Sequence, residues 1–181
     1  MPGASVKGVA ALLATTALWG SSFPAIKVVV PEIGDVSYTW MRGALAVLAL
    51  APYMVYVAAR GRLEPSTLRG GLLAGVAYTL GLWLQGWGTA LTTASKSAFI
   101  TAVHMVWVHA YVAAVTGSYS PRLAASLITA MVGVYLLTGP VGGGVNLGDL
   151  LVLASSFMWA AQVILVDRYS GGIPCSSHSL K

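Results

Sequence analysis

The chain is poor in charged residues and in cysteine. Only 8% of its 181 residues are charged and 57% are apolar, whereas an ordinary soluble domain carries about 25% charged residues. A water-soluble fold of this size could not hide so much apolar surface, so an ordinary soluble domain is excluded. The lone cysteine, Cys175, can form no intrachain disulfide and has no partner for a structural zinc site.

Motifs of most enzyme classes are also missing. The chain has no nucleophile triad, and the glycine run 142–144 precedes no P-loop lysine. Asp149 and Asp167 fall at opposite ends of one predicted helix, so they cannot act as a carboxylate pair. His104 and His109 lie about 140° apart around a helix, which does not suit a shared metal ion. We therefore expect neither an enzyme nor a metal or cofactor.

What the chain does have is a series of apolar stretches, each about long enough to cross a bilayer, which takes roughly 20 residues. The stretches are continuous and too long for barrel strands, so they predict helices. The fold class expected is an all-α, multi-pass transmembrane bundle of about six helices. The predicted helices are Lys7–Val30, Val36–Ala59, Leu68–Leu91, Ser97–Thr116, Leu123–Thr138 and Leu147–Val166.

The positions of the basic residues indicate topology rather than a nucleic-acid surface. Lysine and arginine prefer the cytoplasmic ends of membrane helices, and no cluster of cations with interleaved aromatic residues is present. With a cytoplasmic N-terminus, Lys96 alone among the cations falls in an outer loop, and we expect a multi-pass protein of the cell membrane. The residues then on the cytoplasmic side are Lys7, Arg60, Arg62, Arg69, Arg122, Arg168 and Lys181.

The sequence also repeats itself weakly at an offset of 140 residues. Segment Ala14–Trp19 aligns with Ala154–Trp159, and Ser22 then meets Gln162. This predicts a five-helix repeat over residues 1–139, the first helix of an inverted second copy over 140–169, and a polar tail over 170–181. Inverted repeats are typical of secondary transporters, although a bias toward small residues could also produce the match. A full second copy would need four more helices. The alternative is a short form that completes itself by assembling as a homo-oligomer.

Several predicted helices carry polar residues on one face. Trp19 and Ser22 share a face of the first helix, Gln85 lies in a stripe on the third, and Thr101 and His104 lie in one on the fourth. Polar residues in membrane helices usually face the bundle interior. We predict that these five line a polar cavity that binds substrate; the alternative is that they only hydrogen-bond one helix to another.

Two cations inside predicted helices form a second group of candidates. Lys27 and Arg42 lie at similar depth on either side of the turn at Pro31. One interpretation is an electrostatic gate that favours anionic or zwitterionic substrates. The alternative is that both side chains extend outward and reach Glu32 or Asp35.

Four segments in order resemble motifs of the EamA-like branch of the drug/metabolite transporter superfamily. The segments are Trp19–Lys27 (WGSSFPAIK), Met41–Ala46 (MRGALA), Thr92–Thr101 (TTASKSAFIT) and Gly148–Leu151 (GDLL) followed by Trp159. The resemblance implies ten helices in two inverted repeats and the export or exchange of small metabolites. The chain departs from the family in having Ser118 and Tyr119 after Gly117, and in lacking a proline near His109.

Three hypotheses follow. The first is a membrane carrier of small organic solutes that works by alternating access without a cofactor, with no nucleic-acid partner. The second is a truncated, non-transporting membrane protein or a partner-binding helical bundle. The third is a homo-oligomer in which two short chains complete the cavity.

Overall fold

The computed structural model describes residues 6–61, 65–117, 121–138 and 145–170. Predictions that concern Arg62, Ser118, Tyr119, the loop 139–144 and the polar tail with Cys175 and Lys181 lie outside the described residues. Within those ranges the chain forms seven α-helices and no strand, so the prediction of an all-α helical bundle is confirmed. The helices are α1 (Val6–Ile33), α2 (Asp35–Ala59), α3 (Pro65–Leu91), α4 (Ala94–Ala102), α5 (His104–Thr116), α6 (Pro121–Thr138) and α7 (Leu147–Tyr169).

The predicted fourth helix begins earlier than expected and is interrupted. It starts at Ala94, where the Thr93 side chain accepts a hydrogen bond from the Lys96 backbone N–H, 3.1 Å away. It breaks at Val103, whose N–H bonds to the Ile100 carbonyl at 3.1 Å in the tighter i to i−3 pattern. Neither proline nor glycine occurs at this point, so no helix-breaking residue in the sequence could have indicated the break.

The turn between α1 and α2 is tighter than the sequence suggested. Pro24 and Pro31 both lie inside α1, which continues to Ile33, so the predicted end at Val30 was wrong. The chain reverses at Gly34 alone, with a φ of 81°, a conformation that glycine adopts without a steric cost.

Four helical stretches of the described residues are long and apolar enough to cross a membrane: Gly8–Ile33, Asp35–Ala59, Ala94–Thr116 and Leu147–Tyr169. Helix α3 has sufficient length, with 27 residues, but it is not among these four. It has more buried residues than any other helix among the described residues and packs against α1, α2, α4 and α7, so fewer of its side chains need to be compatible with lipid.

Helices α3 and α7 form the most extensive contact of the bundle and run antiparallel. A Cβ on Gly88 would lie 2.8 Å from the Gly148 carbonyl oxygen, and a Cβ on Gly148 would lie 2.6 Å from the Gly88 carbonyl oxygen. At the other end, a Cβ on Gly70 would overlap the side chain of Tyr169. Small residues let membrane helices approach until their backbones touch; we call this contact the glycine seam.

Contacts between the helices place the described arginines at one end of the molecule, except for the arginine that lies within α2. Helix α4 runs antiparallel to α3, because Ser97 meets Thr89 and Thr101 meets Gln85. Helix α6 in turn runs antiparallel to α4, since Tyr135 near its end packs on Phe99 with ring centroids 5.9 Å apart. We call the two ends the arginine end (Arg60, Arg69, Arg122 and Arg168) and the lysine end (Lys27 and Lys96).

Candidate functional site

A cavity of about 400 Å³ lies among α1, α2, α3, α5 and α7. Its walls combine aromatic, cationic and amide side chains, and among the described residues none of α4 or α6 lines it. We call it the aromatic cavity. The lining residues are Thr15, Leu18, Trp19, Arg42, Tyr78, His104, Trp159, Gln162 and Val163.

Aromatic rings make up one wall of this cavity. The centroids of Trp19 and Trp159 are 5.7 Å apart, and Tyr78 meets Trp159 edge to face with centroids 5.2 Å apart. Trp159 is only 5% exposed, and its indole N–H has no hydrogen-bond partner among the described residues. Edge-to-face rings at these distances attract one another, so the wall is held by packing of side chains from three helices.

His104 stands where α4 gives way to α5, and its ring lies 6.4 Å from that of Trp19. Its Nδ1 is 2.7 Å from the Thr101 carbonyl oxygen. A carbonyl oxygen can only accept, so Nδ1 carries the hydrogen and Nε2 of the neutral ring is an acceptor. The bond fixes the orientation of the ring at the cavity wall.

Arg42 brings a positive charge to the same cavity from within α2. Its guanidinium donates to the Tyr38 hydroxyl, 3.2 Å away and one turn earlier. The side chain is only half-buried, and an ionisable residue at this depth in a membrane helix is costly unless it faces water, a partner or a ligand.

Three of the seven predicted site residues, Trp19, Arg42 and His104, therefore line one cavity. Gln85 and Thr101 are instead buried between α3 and α4, where the Gln85 amide donates to the Thr101 hydroxyl at 3.0 Å. Ser22 is half-buried, and its hydroxyl donates to the Trp19 carbonyl within α1 at 2.6 Å. A role of these three residues in binding substrate stays a prediction.

The last of the seven, Lys27, lies at the lysine end. Its ammonium group donates to the carbonyl oxygens of Ala90 at 2.8 Å and Thr92 at 2.6 Å. These carbonyls lie at the C-terminal end of α3. The last carbonyls of a helix have no N–H partner within it, and a positive charge is favourable there. The contact joins α1 to α3, and a role of Lys27 as a gate stays a prediction.

Sequence reasoning missed a polar cluster at the lysine end. Lys96, expected in a loop, lies in the first turn of α4, and its ammonium is 3.3 Å from a carboxylate oxygen of Asp149 in α7. The other oxygen of Asp149 accepts from the Thr92 hydroxyl at 2.6 Å. Asn146 and Asp149 also form a capping box at the start of α7. The spacing Asn-x-x-Asp before an apolar run could have indicated that cap, but not the lysine.

Comparison with known proteins yields one informative relative. Over 159 residues the chain is 29% identical to a protein of Archaeoglobus fulgidus named "Uncharacterized transporter", and the match covers 84% of this chain and 46% of the relative. The chain thus spans about half the length of that protein. No family model matches, and no solved structure matches either.

Proposed function

We propose that the chain is part of a membrane transporter for small organic solutes and that the aromatic cavity binds the solute. The observation that carries the proposal is the cavity itself. It places a guanidinium, a histidine and an amide beside aromatic rings that meet at an angle and edge to face, and all of the helices that line it except α3 belong to stretches apolar enough to lie in lipid. Ligand sites are typically apolar hollows with a few converging polar groups.

The polar groups suggest what the cavity would hold. Arg42 offers donors and a positive charge, and His104 offers an acceptor at Nε2. An anionic or zwitterionic solute would satisfy these groups, while Trp19, Trp159 and Tyr78 would cover an apolar part of it. We propose passive or ion-coupled carriage by alternating access, because the sequence has no nucleotide-binding motif.

Two further observations support a transporter, and we propose that it is a carrier of the EamA-like type. The relative named a transporter covers most of this chain. In addition, Trp19 and Trp159, which the offset of 140 residues aligns, meet ring to ring in the cavity. Residues paired by an inverted repeat are expected to meet near its axis, where the substrate binds. We propose that the remaining helices of a two-repeat carrier, or a second copy, complete the cavity, and that the arginine end faces the cytoplasm.

The proposal is tested by flux. The purified chain is reconstituted into liposomes and self-exchange is measured with radiolabelled small carboxylates, amines and zwitterions as probes. Arg42→Gln should lower exchange of the accepted probe about tenfold or more, the equivalent of one hydrogen bond to a charged group. Arg60→Gln is the matched control, because Arg60 lies at the end of α2 with its guanidinium over the Tyr56 ring, and it should leave exchange within about twofold.

The folded chain could exchange none of the probes while a version extended by four more helices exchanges one. That result would favour the second hypothesis, a bundle that does not transport alone. Equal loss in Arg42→Gln and Arg60→Gln would contradict the assignment of the cavity. Crosslinking in membranes separates a monomer from a homo-oligomer.

A further inference from the structure

A second cavity, of about 450 Å³, lies at the lysine end between α4, α6 and α7. We call it the lateral cleft. It is separate from the aromatic cavity: the junction of α4 and α5 divides them, with Val103 lining the cleft and His104 lining the cavity. The lining residues of the cleft are Lys96, Phe99, Ile100, Val103, Tyr135, Val145, Asp149, Leu150 and Leu153.

The two charges of the cleft stand together at its end nearest the membrane surface. Lys96 and Asp149 lie in the first turns of α4 and α7, and their side chains are only 10% and 8% exposed. Asp149 is held by the Thr92 hydroxyl at 2.6 Å and by the Asn146 backbone N–H at 3.2 Å. The pair is therefore a dipole of fixed direction with no net charge.

The rest of the cleft is apolar and extends toward the middle of the bilayer. Phe99 and Ile100 on α4, and Val103 directly after it, follow Lys96 at intervals of three, four and seven residues, so they lie on the same side of this stretch as the lysine. Seven residues of helix span about 10 Å. Leu153 lines the facing side of α7 one turn after Asp149.

Three of the residues that line the cleft are exposed, so the cleft is open to its surroundings. Val145, Leu150 and Tyr135 at its mouth are 79%, 54% and 44% exposed. In a membrane, apolar side chains exposed at this depth face lipid. An occupant can thus enter from the bilayer.

We propose that the lateral cleft binds a zwitterionic phospholipid of the leaflet at the lysine end. Its head group lies antiparallel to the Lys96–Asp149 dipole, with phosphate toward the lysine and ammonium toward the carboxylate. One acyl chain lies between α4 and α7 along Ile100, Val103 and Leu153. An anionic lipid fits less well, because Asp149 repels its negative charge without an ammonium group to compensate.

The test compares lipids by thermal stability, since a ligand that binds only the folded state raises its melting temperature. The purified chain is kept in detergent, and dioleoyl phosphatidylethanolamine or dioleoyl phosphatidylglycerol is added at equal mole fraction. We expect the zwitterionic lipid to raise the melting temperature at least about 3 °C more than the anionic one. Soluble glycerophosphoethanolamine, which has the head group without chains, should produce no shift.

Two variants locate the effect. Leu153→Trp fills the cleft while keeping the ion pair, and it should remove the response to phosphatidylethanolamine. Its control, Ile128→Trp, places the same ring on a position of α6 that is 65% exposed and does not line the cleft, and it should keep the response. Asp149→Asn keeps the shape and should remove the preference between the two lipids.

Equal shifts with both lipids in the unmodified chain would overturn the proposal. So would an undiminished response in Leu153→Trp, a full response to glycerophosphoethanolamine, or the absence of any lipid-dependent shift.

Discussion

The glycine seam and the aromatic cavity share helices α3 and α7, yet they use polar and small residues in opposite ways. Along the seam, α3 and α7 touch through glycine, and the polar side chains beside it are buried in pairs such as Thr89 with Ser97, 2.5 Å apart. In the cavity, the hydrogen bonds that Arg42 and His104 make with other described residues stay within their own stretch of chain, and both side chains line a hollow. Paired polar groups hold helices together, whereas groups beside a hollow are available to a ligand.

This contrast makes a quantitative claim about stability. Substitutions at the seam and its polar pairs should lower the free energy of unfolding, and substitutions in the cavity should lower transport while leaving that free energy nearly unchanged. The predictions below run from the largest expected loss of stability to the smallest.

Asp149→Ala should cause the largest loss. It leaves the buried ammonium of Lys96 without its carboxylate, and it removes the acceptor for the Thr92 hydroxyl and for the Asn146 backbone N–H, which is one half of the capping box of α7. Breaking a buried ion pair costs roughly 3–5 kcal/mol, and we expect the lower end because the pair lies near the end of the bundle. Chemical denaturation in detergent measures the loss.

The matched control is Asp167→Ala, an exposed carboxylate near the other end of α7, which should change stability by less than about 0.5 kcal/mol. Equal effects at the two positions would mean that the polar cluster at the lysine end does not hold α4 to α7.

Gly148→Ala should cause the next largest loss. The new methyl group would meet the Gly88 carbonyl oxygen at 2.6 Å and the Leu91 Cβ at 2.8 Å, so α3 and α7 must move apart. Overpacking of this kind costs typically 1–3 kcal/mol. The melting temperature and the yield of monodisperse protein should both fall.

Gly75→Ala provides the comparison within the same pair of helices. A Cβ at Gly75 meets nothing within 4 Å, and alanine is favoured over glycine in a helix by up to about 1 kcal/mol. This variant should be as stable as the unmodified chain or more so; a loss like that of Gly148→Ala would show that the close approach is not the cause.

Gln85→Leu tests whether a predicted binding residue belongs to the packing. Gln85 is 2% exposed and bonds to Thr101, so its removal leaves a buried hydroxyl without that partner, at a cost of about 1–3 kcal/mol. Replacing both partners, in Gln85→Leu with Thr101→Val, should recover most of the loss. Thr79→Val, which removes a hydroxyl that donates to the Gly75 carbonyl of its own helix, is the control.

If Gln85→Leu instead abolishes solute exchange with no loss of stability, the residue acts on substrate, as the sequence analysis predicted. Loss of both together, with recovery of both in the double variant, assigns it to the contact between α3 and α4.

The sequence predicts the helical bundle better than it predicts the break in the fourth helix or the roles of the polar residues. The helices follow from hydropathy, because lipid leaves few alternatives for long apolar runs, and the all-α bundle was predicted correctly. The break at Val103 was not, since it arises from local backbone bonding and the His104 side chain rather than from proline or glycine. The roles within the polar stripes were not separable either. Trp19 and Gln85 sit in stripes of the same spacing, but only the neighbouring helices decide that one meets a hollow and the other meets Thr101.

The smallest expected change in stability concerns His104, and it separates the two things this residue does. His104→Asn can keep a donor for the Thr101 carbonyl, because the asparagine amide occupies the place of Nδ1, but it removes the acceptor at Nε2. Its unfolding free energy should stay within about 0.5 kcal/mol of the unmodified chain. His104→Leu removes both groups and should lose about 1 kcal/mol, the worth of one hydrogen bond. Solute exchange should fall in both variants to a similar degree, since the cavity loses the same acceptor in each. If exchange survives in His104→Asn and fails only in His104→Leu, the histidine serves the junction of α4 and α5, and the contrast between seam and cavity does not extend to it.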